Sequence, residues 1–306
     1  MTATPAVVSE PDLDAYLAAV EHRLDTVVGA YPGLVADVGA ATLDAGGKRL
    51  RPLLVFLAAP PERRGGDIVP AGGAAVELVH MATLVHDDLL DRASVRRGVP
   101  TAWAAHGAET AKASGDYLFA RAFAQLAATD DAGAVAILAD AALALARGES
   151  LQRAQAFEPE TPIDAYLERC ALKTGKLFEA ACLLGSGRPE LGAFGLALGV
   201  AFQIADDVLD CTGDPDETGK APGADLREGT PTLPLILAAR EDELVRRALA
   251  GEAVPDALDR VAATGALERS RELAREYALR ASAALDGTDR GGTLATLALA
   301  VVDRSR

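Results

Sequence analysis

Residues 84–91 read LVHDDLLD, and residues 202–210 read FQIADDVLD. Each closes an apolar, helically spaced stretch with Asp-Asp-x-x-Asp. On a helix, residues four apart share a face and the next residue lies about 100° round. Asp87 and Asp91 therefore stack one turn apart with Asp88 beside them, and Asp206, Asp210 and Asp207 repeat the pattern. Like charges at this spacing destabilise a helix, and apolar neighbours add a desolvation cost. Divalent cations remove both problems. Mg²⁺ takes oxygen ligands, commonly one or two carboxylates completed by water and substrate phosphates. For one such turn alone, a solvated acidic helix end is the better reading. Two copies, both abutting apolar turns, point to metal ions held around a diphosphate across a cavity.

Outward from these turns the pattern is helical nearly everywhere. Leu13, Leu17, Val20, Leu24 and Val27 recur at three- and four-residue steps, the mark of an amphipathic helix. Short breaks rich in Gly, Pro and Asp fall at 46–47, 59–70, 129–133, 158–162, 185–190 and 213–229. Hydrophobic residues are 50% of the 306-residue chain and aromatics only 4%, which favours helices packed through small side chains over a β-sandwich. No alternation persists long enough for a strand. The expectation is an all-α fold, one domain over residues 1–306.

The net charge of −15 argues against nucleic acid, which needs a basic face, and against attraction to anionic lipid. Cys170, Cys182 and Cys211 have no metal-ligand spacing, and their odd number suits no disulfide framework. A reducing cytoplasm is the expected location. The start, MTATPAVVSEPDLDAY, lacks the basic and apolar regions of a signal peptide. The longest uncharged apolar run, 191–205, falls short of the roughly 20 residues that span a bilayer, so no transmembrane segment is expected.

A cationic half complements the acidic turns. Residues 46–52, GGKRLRP, place Lys48, Arg49 and Arg51 beside a Gly-Gly break at a helix start. Arg forks onto phosphate oxygens and Lys supplies a point charge. A solubilising patch would look the same. Arg96 and Arg97 follow the first aspartate turn, and His80 lies two turns before Asp87 on roughly its face. A carboxylate-bridged di-iron bundle is the competing reading. It needs two Glu-x-x-His motifs, and only Glu77 to His80 supplies one. The set describes two anion sites, one using metal and carboxylates, the other Lys, Arg and His.

With these residues in view, the chain resembles the trans-isoprenyl diphosphate synthases, or polyprenyl synthetase family, from about Gly46 to Pro234. The ordered motifs are GGKRLRP, ELVHMATLVHDDLLD, RRGVPT, SGDYLFARAF, Lys173-Thr174, FQIADDVLD and GKAPGADLREGTPTLP. The resemblance implies a bundle of antiparallel helices around a central cavity, as in the isoprenoid synthase-type fold, and a homodimer. It implies that Asp87, Asp88, Asp91, Asp206, Asp207 and Asp210 hold three Mg²⁺ with the allylic diphosphate. Lys48, Arg51, His80 and Arg97 match the isopentenyl diphosphate site. Arg96, Lys173 and Lys220 match contacts to the allylic diphosphate, and Thr174 and Gln203 match polar groups near the reacting carbons. The reaction implied is Mg²⁺-dependent condensation of isopentenyl diphosphate with an allylic diphosphate. A class I terpene cyclase, or the catalytic subunit of a two-component prenyl synthase, is the alternative; the intact second motif and GGKRLRP argue against the cyclase.

The pattern departs from the family at Thr230, which stands where a phosphate-contacting Lys is usual. One turn before Asp87, Ala82 and Thr83 occupy the place where a bulky aromatic limits chain growth in short-chain members. The expected product therefore exceeds fifteen carbons, in the range C20–C40. Phe119, Phe123 and Phe178 are candidate floors of the product tunnel, or core residues. Residues 118–126 are an interface helix or intramolecular core.

Overall fold

The computed structural model describes residues 10, 12–96, 98–212, 222–285, 287, 289 and 292–303. It is all-α, as the periodicity predicts. Among the described residues the only strands are Val95–Arg96 and Val99–Pro100, a two-stranded antiparallel hairpin with Val95 opposite Pro100. The chain divides into two compact units. One takes the described residues of Met1–Ala142 and Leu177–Gly192, the other those of Leu143–Lys176 and Ala193–Arg306.

The first unit is built on a central helix, α5 (Ile68–Leu90), with α1 (Leu13–Val28), α2 (Leu34–Asp44), α3 (Leu50–Ala58) and α7 (Ala108–Ala127) packed on it. The short α4 (Pro61–Arg64) and α6 (Ala102–His106) fill connections. The run Ala71, Gly72, Gly73, Ala74, Ala75 and Val76 is wholly buried, because small side chains let neighbouring helices approach closely. At Gly73 a Cβ would collide with the Tyr16 hydroxyl. The larger core residues Leu53, Leu54, Leu78, Met81 and Leu118 are at most 2% exposed, and each such burial stabilises by about 1.5–3 kcal/mol.

The second unit contains the helix Ile163–Cys170, a π-helical turn Ala171–Gly175, the greater part of Pro189–Thr212, and five helices of seven residues or more between Leu233 and Val302. Along Pro189–Thr212, Val200 and Ile204 pack with Tyr166, Cys170, Leu233, Ile236 and Ala274. Val208 and Cys211 continue that stripe into a second cluster with Leu235, Val245, Leu249 and Val261. This apolar face fixes the rotation of the helix, and so the directions of its three aspartates.

No uncharged apolar run reaches bilayer length, but two helices that include charged residues do. Ile68–Leu90 and Pro189–Thr212 are long and apolar enough to cross a membrane by length and composition. Their most apolar windows are 72% and 67% buried inside the protein.

Candidate active site

The first aspartate turn ends α5. Asp91 is the C-cap, its N–H donating to the Asp87 carbonyl at 2.8 Å. Arg92 then takes a left-handed conformation, φ 53°, and the Ala93 N–H returns to the Asp88 carbonyl at 2.9 Å. This reversal feeds the hairpin, which carries Arg96 back to the helix end. Both Nε and Nη2 of Arg96 lie 2.8 Å from Asp88 Oδ1. The Thr101 hydroxyl donates to the Ala93 carbonyl at 2.6 Å and closes the loop. Asp88 is buried; Asp87 and Asp91 are half-buried. His86 braces the turn against α7, with Nε2 3.3 Å from Asp116 and its ring stacked on Phe119. Phe119 thus lies beside the aspartate turn. Ala82 is buried, and half-buried Thr83 donates its hydroxyl to the His80 carbonyl at 2.8 Å.

In the cationic segment, Lys48 is exposed, Arg49 is buried and Arg51 is half-buried. The Arg51 guanidinium lies over the Phe178 ring, 5.0 Å from its centroid. Phe178, a candidate tunnel floor by sequence, is therefore a platform for Arg51. His80 is half-buried on α5.

In the second unit the π-helical turn carries Lys173 and Thr174. Such turns disturb the helical ladder and recur at functional positions. Lys173 Nζ donates to Glu149 at 2.5 Å and to Gln152 at 3.3 Å. Burial alone would raise the Glu149 carboxyl, but Lys173 and Arg153 outweigh it and hold that carboxyl below the usual range. The Thr174 hydroxyl donates to Gln203 Oε1 at 2.6 Å, and Gln203 Nε2 donates to Asp207 Oδ1 at 2.8 Å. Tyr166 donates to the other oxygen, Oδ2, at 2.6 Å. Asp207 is 4% exposed. Burial pushes its carboxyl up to about 7, and Asp206 adds to this, against the hydrogen bonds from Tyr166 and Gln203 and the charge of Arg169. Asp206 and Asp210 are half-buried. Asp210 accepts the N–H groups of Ala224 and Asp225 at 3.2 and 3.1 Å.

The segment around Thr230 is tightly held. Its N–H donates to the Asp225 carbonyl at 2.8 Å, Arg169 Nη2 to the Pro231 carbonyl at 2.8 Å, and Phe157 N–H to the Gly229 carbonyl at 2.7 Å. Thr230 is buried.

Within their units, then, several predicted residues have a definite setting: Asp88 on Arg96, Arg51 over Phe178, and Thr174, Gln203 and Asp207 in one chain of hydrogen bonds. Arg97 and Lys220 lie outside the described residues. Sequence reasoning missed Tyr166, Glu149 and Arg169. Nothing local marks them, since Tyr166 and Asp207 are 41 residues apart. Among the described residues no three His, Cys, Asp or Glu side chains form a metal cage by themselves. The half-buried carboxylates Asp87, Asp91, Asp206 and Asp210 suit Mg²⁺, which needs only one or two carboxylates and takes its other oxygens from water and phosphate.

Comparison with known proteins shows the family. A family model described as polyprenyl synthetase matches residues 33–262. The heptaprenyl diphosphate synthase component 2 of Geobacillus stearothermophilus is 38% identical, covering 94% of this chain and 95% of its own. The nonaprenyl diphosphate synthase of Mycobacterium tuberculosis is also 38% identical, over 87% of this chain and 85% of its own. Among solved structures, a polyprenyl synthase from Caulobacter crescentus, complexed with calcium and isoprenyl diphosphate, superposes with a TM-score of 0.87. It is 36% identical and covers 96% of each chain.

Proposed function

The chain belongs to the polyprenyl synthetase family, and from that premise we propose that it condenses isopentenyl diphosphate with an allylic diphosphate to give a trans-polyprenyl diphosphate. One observation carries the reading. In both Asp-Asp-x-x-Asp turns the middle aspartate is buried, while the outer two stand half-buried at the end of an apolar helical stretch.

Asp87, Asp91, Asp206 and Asp210 are the residues that would hold Mg²⁺, with Asp88 and Asp207 shaping the turns around them. Bound Mg²⁺ would supply electrostatic stabilisation to the departing allylic diphosphate. Arg96 and Lys173 add fixed positive charge for the same group. Lys48, Arg51 and His80 take the diphosphate of isopentenyl diphosphate, with Arg51 aimed by the Phe178 ring. The Thr174 proton is committed to Gln203, so the hydroxyl oxygen has only lone pairs left to offer. An oxygen dipole of that sense steadies an allylic cation, and apolar turns keep away water that would quench it. The isopentenyl double bond attacks the cation, and the proton then lost goes to the released diphosphate, since no side chain stands out as base.

Product length rests on Ala82, whose small side chain leaves growth open. The relatives' names, heptaprenyl and nonaprenyl, support a product beyond fifteen carbons. A cytoplasmic homodimer completes the reading, and three free, buried cysteines suit a reducing compartment.

The test is the purified chain incubated with isopentenyl diphosphate and allylic primers of increasing length. Expected is a trans-polyprenyl diphosphate longer than fifteen carbons, shortened by Ala82→Phe. No product from any primer would sink the reading; an unchanged product from Ala82→Phe would sink the tunnel assignment.

A further inference from the structure

Glu77 and His80 form the Glu-x-x-His pair that suggested iron from sequence alone. Glu77 is only 3% exposed on α5, and its partner is cationic. Glu77 Oε1 lies 3.0 Å from Arg49 Nη1. Arg49 is itself 6% exposed, and its Nε and Nη2 lie 2.6 and 3.3 Å from the two carboxylate oxygens of Glu21 on α1. Burial alone would lower the Arg49 guanidinium, but Glu21 and Glu77 outweigh it and raise it.

The backbone at Arg49 gives this cluster its meaning. Arg49 has φ 46° and ψ 36°, a left-handed conformation that a long L side chain rarely adopts. Such a residue persists only where its surroundings over-determine it, and it commonly marks a functional segment. Here two carboxylates from two helices hold the guanidinium inward. With Arg49 turned in, Lys48 is exposed and Arg51 lies over Phe178. A second anchor follows at once: the Tyr16 hydroxyl donates to the Pro52 carbonyl at 2.8 Å.

We propose that Glu77, assisted by Glu21, is a positioning residue for the homoallylic diphosphate: it fixes Arg49 inward so that Lys48 and Arg51 face the ligand. This rests on the functional reading above. A rival view treats Glu77 as a charge in the field of the site. The two views predict opposite signs. Glu77→Gln removes a negative charge near an anion site, so a pure field effect tightens isopentenyl diphosphate binding. Loss of positioning weakens it.

The experiment is steady-state kinetics of the native chain, Glu77→Gln and Glu21→Gln, varying each substrate in turn at saturating Mg²⁺. For Glu77→Gln the KM for isopentenyl diphosphate should rise about tenfold, while the KM for the allylic primer moves less than about twofold and kcat changes far less than the first KM. Glu21→Gln, on a half-exposed side chain, should shift the same KM in the same direction by about threefold, and it decides the matter where Glu77→Gln does not fold. An unchanged or lowered KM for isopentenyl diphosphate overturns the proposal, as does an equal rise in both KM values, which marks a merely structural ion pair. Those outcomes require an active native enzyme. A native chain that makes no product from these substrates overturns the functional reading instead.

Discussion

Asp88 and Asp207 hold the same place in their motifs, and both are buried, yet they are held by different chemistry. Asp88 receives two nitrogens of one guanidinium, Arg96, which the hairpin returns from beyond the helix end. Asp207 receives an amide and a phenol, from Gln203 one turn back on its own helix and from Tyr166 on Ile163–Cys170. The first turn is thus assembled at an edge by opposite charge. The second is built into a core that also contains Cys170, Val200 and Ile204. Burial pushes the Asp207 carboxyl up to about 7 despite the hydrogen bonds from Tyr166 and Gln203 and the charge of Arg169. A repeated motif need not have a repeated support: the inner carboxylates are secured by whatever each unit supplies.

The strongest test concerns what the two turns share. Chelation with EDTA should abolish product formation, and added Mg²⁺ should restore it; activity that survives chelation would make both turns structural. Next in size are Asp87→Ala and Asp206→Ala. Each should lower kcat by about 10²–10³-fold, the scale of losing one electrostatic stabiliser, and raise the Mg²⁺ concentration needed for half-maximal rate. Near-native activity in one of them would show that only one turn binds metal.

Much of the fold is legible in the sequence. The breaks at 129–133 and 158–162 fall where α7 gives way to the helix Ala132–Gln155 and that helix to Ile163–Cys170. The inward turn of Asp207 was legible too, had the helix been projected. At 100° per residue it falls within about 20° of the Val200 direction, whereas Asp206 lies about 120° away. Other features depend on what sequence does not carry. The direction of Arg49 is set by a left-handed backbone and by carboxylates 28 residues away on either side. Two-residue strands are too short for any alternation, so the hairpin that delivers Arg96 was missed. Phe178 is wholly buried, as its core reading expects, but nothing local announces the guanidinium over its ring.

The difference in support is sharpened by Tyr166→Phe. It leaves one oxygen of buried Asp207 without its donor, and an unsatisfied buried acceptor costs about 1–3 kcal/mol. Chemical denaturation of the variant should show that loss, with kcat reduced less than about tenfold because Tyr166 is wholly buried against Asp207. A stable variant would mean that Gln203 alone suffices and that the second turn is less embedded than its burial implies.

The smallest expected effect bears directly on charge against geometry. Arg96→Lys keeps the positive charge beside Asp88 and loses the paired nitrogens. The Arg96 side chain is 23% exposed and that of Asp88 7%, so the pair is screened on one side only. If charge is what holds the first turn, Lys should serve nearly as well, and denaturation should register a loss of about 0.5–1.5 kcal/mol, the net worth of one hydrogen bond. The middle of that range lies below the middle of the range for Tyr166→Phe. A loss as large as the Tyr166→Phe value would show that the fork, not the charge, secures Asp88. The two turns would then be held alike, by directional bonds, and the contrast between an electrostatic edge and a hydrogen-bonded core would fail at its first term.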